Sequence, residues 1–248
     1  MNPIKKFYQR NKKLIKQMNN DSLLKQLTKA WFLGIHKYEY ERHFTWLGRP
    51  IIQFPQDIIT FQEIIWNVKP DLIIETGIAH GGSLIFTASM LELLGNGEVL
   101  GIDIEIREHN KLEIKKHPLY KRITMIEGSS TDSEIFNQVC KLSKQRKKIL
   151  VILDSDHSYD HVLKELRMYS SLVKKDSYII VCDTNLSDFP KNWLKDLGID
   201  RPWNSTNNPK NAVYDFLKEN KSFQIDKTFQ EKSLITTAPD GFLKCVKN

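Results

Sequence analysis

Two short acidic stretches hold the most reactive residues in this sequence. Asp154-Ser155-Asp156-His157 follows the apolar run 149–153, and Asp183-Thr184-Asn185 follows 178–182. Both runs read as buried strands, and the ends of neighbouring strands lie ~5 Å apart. Asp154 or Asp156 is therefore expected to converge with Asp183, and with Asn185 or Thr184, on one hard cation. A set made of oxygen atoms suits Mg2+ or another divalent ion. His157 stands three residues past Asp154, and an imidazole with a pKa near ~6.5 takes a proton from a hydroxyl at neutral pH. The plainer alternative is that these acids cap helices and His157 is structural.

A third stretch, Glu75-Thr76-Gly77-Ile78-Ala79-His80-Gly81-Gly82-Ser83, closes an apolar strand and opens a helix. Glycines there admit a tight turn and close backbone approach, and the helix start offers free amides. The spacing is not that of the dinucleotide fingerprint. A carboxylate two residues before the first glycine suits a cationic ligand, such as S-adenosylmethionine, better than a pyrophosphate. Further on, Asp103, with Glu105 as fallback, ends the next strand where an acid accepts from ribose hydroxyls. Ser129 and Ser130 follow a third strand, either beside an adenine edge or only in a helix cap.

The elements that must position these residues are legible as alternating runs. Strands are expected over 71–76, 99–104, 123–127, 149–154 and 178–183, with helices over 83–94, 107–116, 132–144 and 159–173 between them. This alternation predicts an α/β, doubly wound parallel sheet. A helix over 211–219 and strands over 223–228 and 242–246, the second entered through Pro239-Asp240-Gly241, predict a terminal hairpin. Residues 184–210, rich in Pro, Asn and Asp, are the long loop expected to act as a lid or binding loop.

Ahead of all this, residues 4–29 repeat apolar side chains at helical spacing, broken near Asn19-Asn20-Asp21, with Asp21 or Ser22 as the second N-cap. Eight Lys/Arg and one acid in residues 1–30 account for the whole net charge of +7, so the remainder is neutral. That balance argues against a stable nucleic-acid partner, which needs cations along a face of the fold. The apolar stripe is expected to pack on the domain or on a second subunit, giving a homo-oligomer, or else to serve a membrane surface, RNA or a partner chain. No apolar run reaches the ~20 residues of a transmembrane span, and no secretory signal follows the basic start. Three cysteines without metal spacing fit a cytoplasmic location.

The long ordered runs 46–66, 70–95, 99–110, 117–132, 151–166, 177–185 and 208–220 resemble the cephalosporin-hydroxylase and rhamnosyl O-methyltransferase family. The resemblance implies a Rossmann-like seven-stranded methyltransferase sheet with an antiparallel last strand over residues 46–248, preceded by a basic helical extension over 1–45. It also implies S-adenosylmethionine and a divalent metal such as Mg2+ as cofactors. By the same resemblance Glu75, Gly77, Gly81, Gly82 and Ser83 line the donor loop, Asp103 holds the ribose, and Ser129 and Ser130 flank the adenine. Asp154, Asp156 and Asp183 bind the metal, and His157 is the base, at the spacing where related catechol methyltransferases carry a lysine. The family commonly has Glu-Asp where this chain has Cys182-Asp183, and a thiol is a poor Mg2+ ligand. The expected reaction is methyl transfer to a hydroxyl of a glycan or small natural product, with Trp46, Gln53 and Asp57 as candidate acceptor contacts. RNA methylation through the basic arm and a non-catalytic binding module are the rival expectations.

Overall fold

The computed structural model describes residues 2–190, 193–196, 198 and 200–247. Residues 191, 192, 197 and 199 of the expected lid lie outside the described residues. Seven strands form one sheet: β3 (Leu72–Thr76), β4 (Glu98–Asp103), β5 (Ile123–Glu127), β6 (Ile149–Leu153), β7 (Tyr178–Val181), β8 (Phe223–Ile225) and β9 (Phe242–Cys245). Their order is β5-β4-β3-β6-β7-β9-β8. β3, β4, β5, β6 and β7 pair in parallel, and β9 runs antiparallel to both β7 and β8. The expected doubly wound sheet with its antiparallel last strand is therefore present.

Alternate residues of each strand feed opposite cores, as the two-residue period requires. Ile73, Val99, Leu150, Ile180 and Phe242 enter one core, where α3 (Pro55–Val68), α4 (Gly82–Leu94) and α5 (Glu108–Lys116) pack. Ile74, Leu100, Val151, Ile179 and Leu243 enter the other, under α6 (Ser133–Ser143), α7 (Tyr159–Tyr169) and α9 (Pro209–Glu219). Each fully buried side chain of this kind contributes ~1.5–3 kcal/mol. α4 is apolar nearly all round because a short hairpin, β1 (Phe44–Trp46) and β2 (Arg49–Ile51), covers the side away from the sheet. Leu47 and Gly48, both at positive φ, make its two-residue turn.

Asp21 separates α1 (Pro3–Asn20) from α2 (Ser22–His36) and caps the second, its carboxylate accepting from the Leu24 amide at 2.9 Å. Neither helix buries a residue fully. α1 touches the body at α10 (Thr228–Ser233), where the Asn19 side-chain amide donates to the Glu231 carbonyl at 2.6 Å. No helix among the described residues is long and apolar enough to cross a membrane.

Candidate functional site

Strand order reverses beside β3, with β4 on one side and β6 on the other, and crevices in such sheets open at the carboxyl ends of the strands there. Main-chain bonds continue past the strand ends and hold them side by side. Gly77 donates to the Ile102 carbonyl at 2.8 Å, Asp154 to Thr76 at 2.9 Å and Cys182 to Leu153 at 3.0 Å. Over these ends lies a cavity of about 410 Å³ lined by Gly77, His80, Ser83, Asp154, His157 and Asp183, among others.

Gly77 has φ +92°, and a Cβ there would sit 2.1 Å from the Asp154 carbonyl oxygen. A Cβ on Gly82 would sit 2.1 Å from the Pro50 carbonyl oxygen, and one on Gly81 would meet Ile114. These glycines therefore serve close packing of the donor loop against β6, the hairpin and α5. Beneath the loop, Glu75 is fully buried and accepts from the Ser83 hydroxyl, while its Oε2 has no partner. Burial pushes its carboxyl up to about 7, against the pull of Ser83. A buried acid so poised is matched to a cation.

Asp103 turns its carboxylate toward the loop, accepting from the Ile78 amide at 2.7 Å and the Ala79 amide at 3.2 Å. Ser130 faces inward: its hydroxyl donates to Glu165 at 2.6 Å, alongside Ser155 at 2.8 Å. Ser129 pairs with the Thr131 hydroxyl at 3.2 Å. The Ser130 hydroxyl is thus committed to Glu165, 35 residues away, and its carbonyl accepts from the buried Tyr169 hydroxyl at 2.9 Å.

Asp154, His157 and Asp183 converge, one donor atom from each lying within 4.8 Å of the others. Asp156 does not join them; it is exposed and caps the next turn by accepting from the Ser158 amide at 2.7 Å. The His157 Nε2 donates to Asp183 at 2.9 Å, and its ring lies edge-on to Trp203 at 4.6 Å. Burial alone would lower His157, but the charge and hydrogen bond of Asp183 prevail and raise it to about 9. The expected neutral imidazole is thus an imidazolium while Asp183 holds it. Burial would raise Asp183, yet His157 keeps it below the usual carboxylate range. Asp154, desolvated and facing Asp183, is pushed well up, and it accepts from the Gln53 amide at 3.1 Å.

The donor chemistry fits a hard divalent cation. Two carboxylates come together, and the buried Asn185, which lines the same cavity, has an Oδ1 with no partner. Thr184 is committed to the Pro239 carbonyl at 2.7 Å. Cys182 is buried, and desolvation with Asp154 beside it pushes its thiol well up, so it stays neutral. Of the candidates to replace the expected family glutamate, Asn185 is the one with a free oxygen.

The acceptor side departs further from expectation. Gln53 lines the cavity, but Asp57 is buried and tied to Thr236 and Thr237, and Trp46 bonds Ser89 at 3.1 Å and packs on Phe86. His36, at the end of α2, lines the cavity with its ring edge-on to the stacked pair Phe189 and Trp193 and its Nε2 unpartnered. Burial lowers its imidazole to about 4, so it is neutral. The long loop closes the cavity with Leu186, Phe189, Trp193, Arg201 and Trp203. The helical spacing in the sequence ends at residue 29, short of His36, and nothing local ties this histidine to the site; the aromatic residues Trp31 and Phe32 near it are the available signal.

Residues 38–246 match the family model described as Rhamnosyl O-methyltransferase/CmcI. A rhamnosyl O-methyltransferase of Mycobacterium bovis is 31% identical over 205 residues, covering 80% of this chain and 77% of that protein. Among solved structures, apo CmcI-N160 aligns with a TM-score of 0.58 at 17% identity, over 84% of this chain and 78% of that one. The Mg-SAM form of CmcI-D160 aligns with a TM-score of 0.55 at 16% identity, over 83% and 77%.

Proposed function

The chain belongs to the rhamnosyl O-methyltransferase/CmcI family and is an S-adenosylmethionine-dependent O-methyltransferase; from that premise we propose that it methylates a sugar hydroxyl with the help of a divalent cation. The observation that carries this reading is one cavity lined by a donor loop over buried Glu75 and by the paired acids Asp154 and Asp183. The rhamnosyl O-methyltransferase relative supports a sugar acceptor, and a vicinal diol offers the two adjacent oxygens that a chelating cation prefers.

In this reading the methyl donor lies along Gly77, Gly81, Gly82 and Ser83, with its cationic end toward Glu75. Asp103 is the group for the ribose, and the Ser129-Ser130 turn is the adenine boundary. Asp154 and Asp183, with Asn185, hold the cation. When bound, that cation lowers the pKa of an acceptor hydroxyl and fixes its direction. With Asp183 turned to the cation, His157 would lose the partner that keeps it charged, release its Nε2 proton to solvent and, as a neutral imidazole, take the hydroxyl proton on Nε2. Gln53 keeps Asp154 oriented. His36, Trp193 and Trp203 exclude water and line the sugar, as aromatic walls suit the apolar face of a pyranose. Residues 1–45 act as an arm appended to the catalytic domain of 46–248, except that His36, Glu41 and Arg42 reach the cavity.

The test is direct. The full chain is incubated with S-adenosylmethionine, Mg2+ and p-nitrophenyl α-L-rhamnopyranoside, and the product is analysed by mass spectrometry. A methylated rhamnoside whose formation stops with EDTA and returns with Mg2+ is expected. No transfer to the rhamnoside, but transfer to a catechol, would sink the sugar reading; transfer indifferent to EDTA would sink the metal.

Two further outcomes follow from the same geometry. His157→Ala is expected to lower kcat roughly a hundredfold, the usual share of a general base, with the donor affinity unchanged by calorimetry. Full activity in that variant removes the assignment. Glu75 gives a pH dependence. Its carboxyl sits above the ordinary value, at about 7, and a cationic donor prefers the ionised form. Donor affinity is therefore expected to rise with pH up to about 7 and level off above it, while Glu75→Gln binds weakly with no such slope. A flat wild-type profile from pH 5.5 to 8 contradicts this, since over roughly that range an acid of this pKa passes from mostly protonated to mostly ionised.

A further inference from the structure

The apolar side of α1 is uncovered along its first half. At about 100° per residue, Ile4, Phe7, Tyr8, Leu14, Ile15 and Met18 fall within roughly a third of the helix circumference. Lys5, Lys6, Arg10, Lys12, Lys13 and Lys16 occupy the rest, and α1 carries no acid. Ile15 and Met18 are half-buried near the crossing with α10. Ile4, Phe7 and Tyr8 are exposed to 63%, 59% and 63%. α2 adds a second exposed row at four-residue spacing, Leu23, Leu27 and Trp31.

We propose that α1 docks the protein on an anionic lipid bilayer, with Ile4, Phe7 and Tyr8 seated at the headgroup boundary and the lysines against the headgroups. Charge decides between the candidate occupants. A helix with an apolar stripe flanked by cations on both sides lies in the plane of such a surface, and each cation near it adds attraction. A second copy facing the first along this stripe would set six cations against six. An RNA would satisfy the lysines but leave Ile4, Phe7 and Tyr8 in water. The remainder of the chain, from residue 31 onward, has no net charge, so attraction to the surface resides in the arm. The proposal concerns the arm alone and does not depend on the acceptor or the metal.

The full chain is mixed with sucrose-loaded vesicles of phosphatidylcholine alone and of phosphatidylcholine with about one quarter phosphatidylglycerol, and the pelleted fraction is measured. Partitioning onto the anionic vesicles is expected to be at least ~10-fold stronger, and to fall as salt is raised. Ile4→Ser with Phe7→Ser leaves the charge intact and is expected to weaken binding roughly tenfold through lost apolar burial. Lys12→Gln with Lys13→Gln and Lys16→Gln is expected to erase the preference for phosphatidylglycerol. Equal binding to both vesicle types, or none, overturns the proposal. So does full retention by the Ile4→Ser, Phe7→Ser variant, which would mark a site for any polyanion. A dimer seen by light scattering in wild type and lost in that variant would assign the stripe to a second copy instead.

Discussion

Asp183→Asn is expected to slow methyl transfer roughly a thousandfold, ~4 kcal/mol of transition-state stabilisation at 1.36 kcal/mol per factor of ten. Asparagine keeps the volume and tolerates the left-handed backbone at this position, where φ is 54°, so the fold is retained. What it removes is charge. The pair Asp154 and Asp183 becomes a single carboxylate, too weak an anionic set for a divalent cation that must shed water. His157 loses the partner that raises it to about 9 and returns toward its ordinary range. Single-turnover methyl transfer measures the loss, and calorimetry should show Mg2+ binding gone with donor binding intact. If Mg2+ still binds as in wild type, the cation sits elsewhere and the paired-acid reading is wrong.

Gly77→Ala is expected to damage both stability and donor binding. The added methyl would fall 2.1 Å from the Asp154 carbonyl oxygen and 3.2 Å from the Ser155 Cα, both main chain, which no rotamer change relieves. Positive φ adds its own strain for an L side chain. Together these cost about 3–4 kcal/mol, which for a chain of this size lowers Tm by roughly 10 °C. Scanning fluorimetry reads the first effect and calorimetry with S-adenosylmethionine the second, expected as at least a ~10-fold weaker Kd. An alanine variant that melts with wild type would mean that β3 and β6 tolerate separation at their ends.

The sheet and the acidic corner were both open to reading from the sequence, for one physical reason. Buried parallel strands are short continuous apolar runs, and a run such as 149–153 leaves little freedom about where its strand ends. Once two such ends are neighbours, Asp154 and Asp183 must meet. Short elements held by packing were not legible: β1 and β2 are three residues each, and α10 has six. Nor was the direction of a side chain near a strand end. Ser130 faces Glu165, and Asp57, in the first turn of α3, serves Thr236 and Thr237, partners that local pattern does not reveal, whereas Asp156 follows the local capping alternative by accepting from Ser158. His36 shows the same limit from the other side. Its surroundings are Phe54 and Phe189, far along the chain, and they make a surface-helix residue into part of a cavity wall.

The cavity is lined by parts of two kinds. Gly77, Asp154 and Asp183 hang from strand ends joined by main-chain bonds, whereas His36 comes from the arm and Trp193 and Trp203 from the long loop. A lineage can therefore exchange its arm and loop, and with them the molecules it accepts, without disturbing the distance between donor loop and acids. Diversification should run fastest where the backbone is least constrained by the sheet, with the chemistry inherited whole.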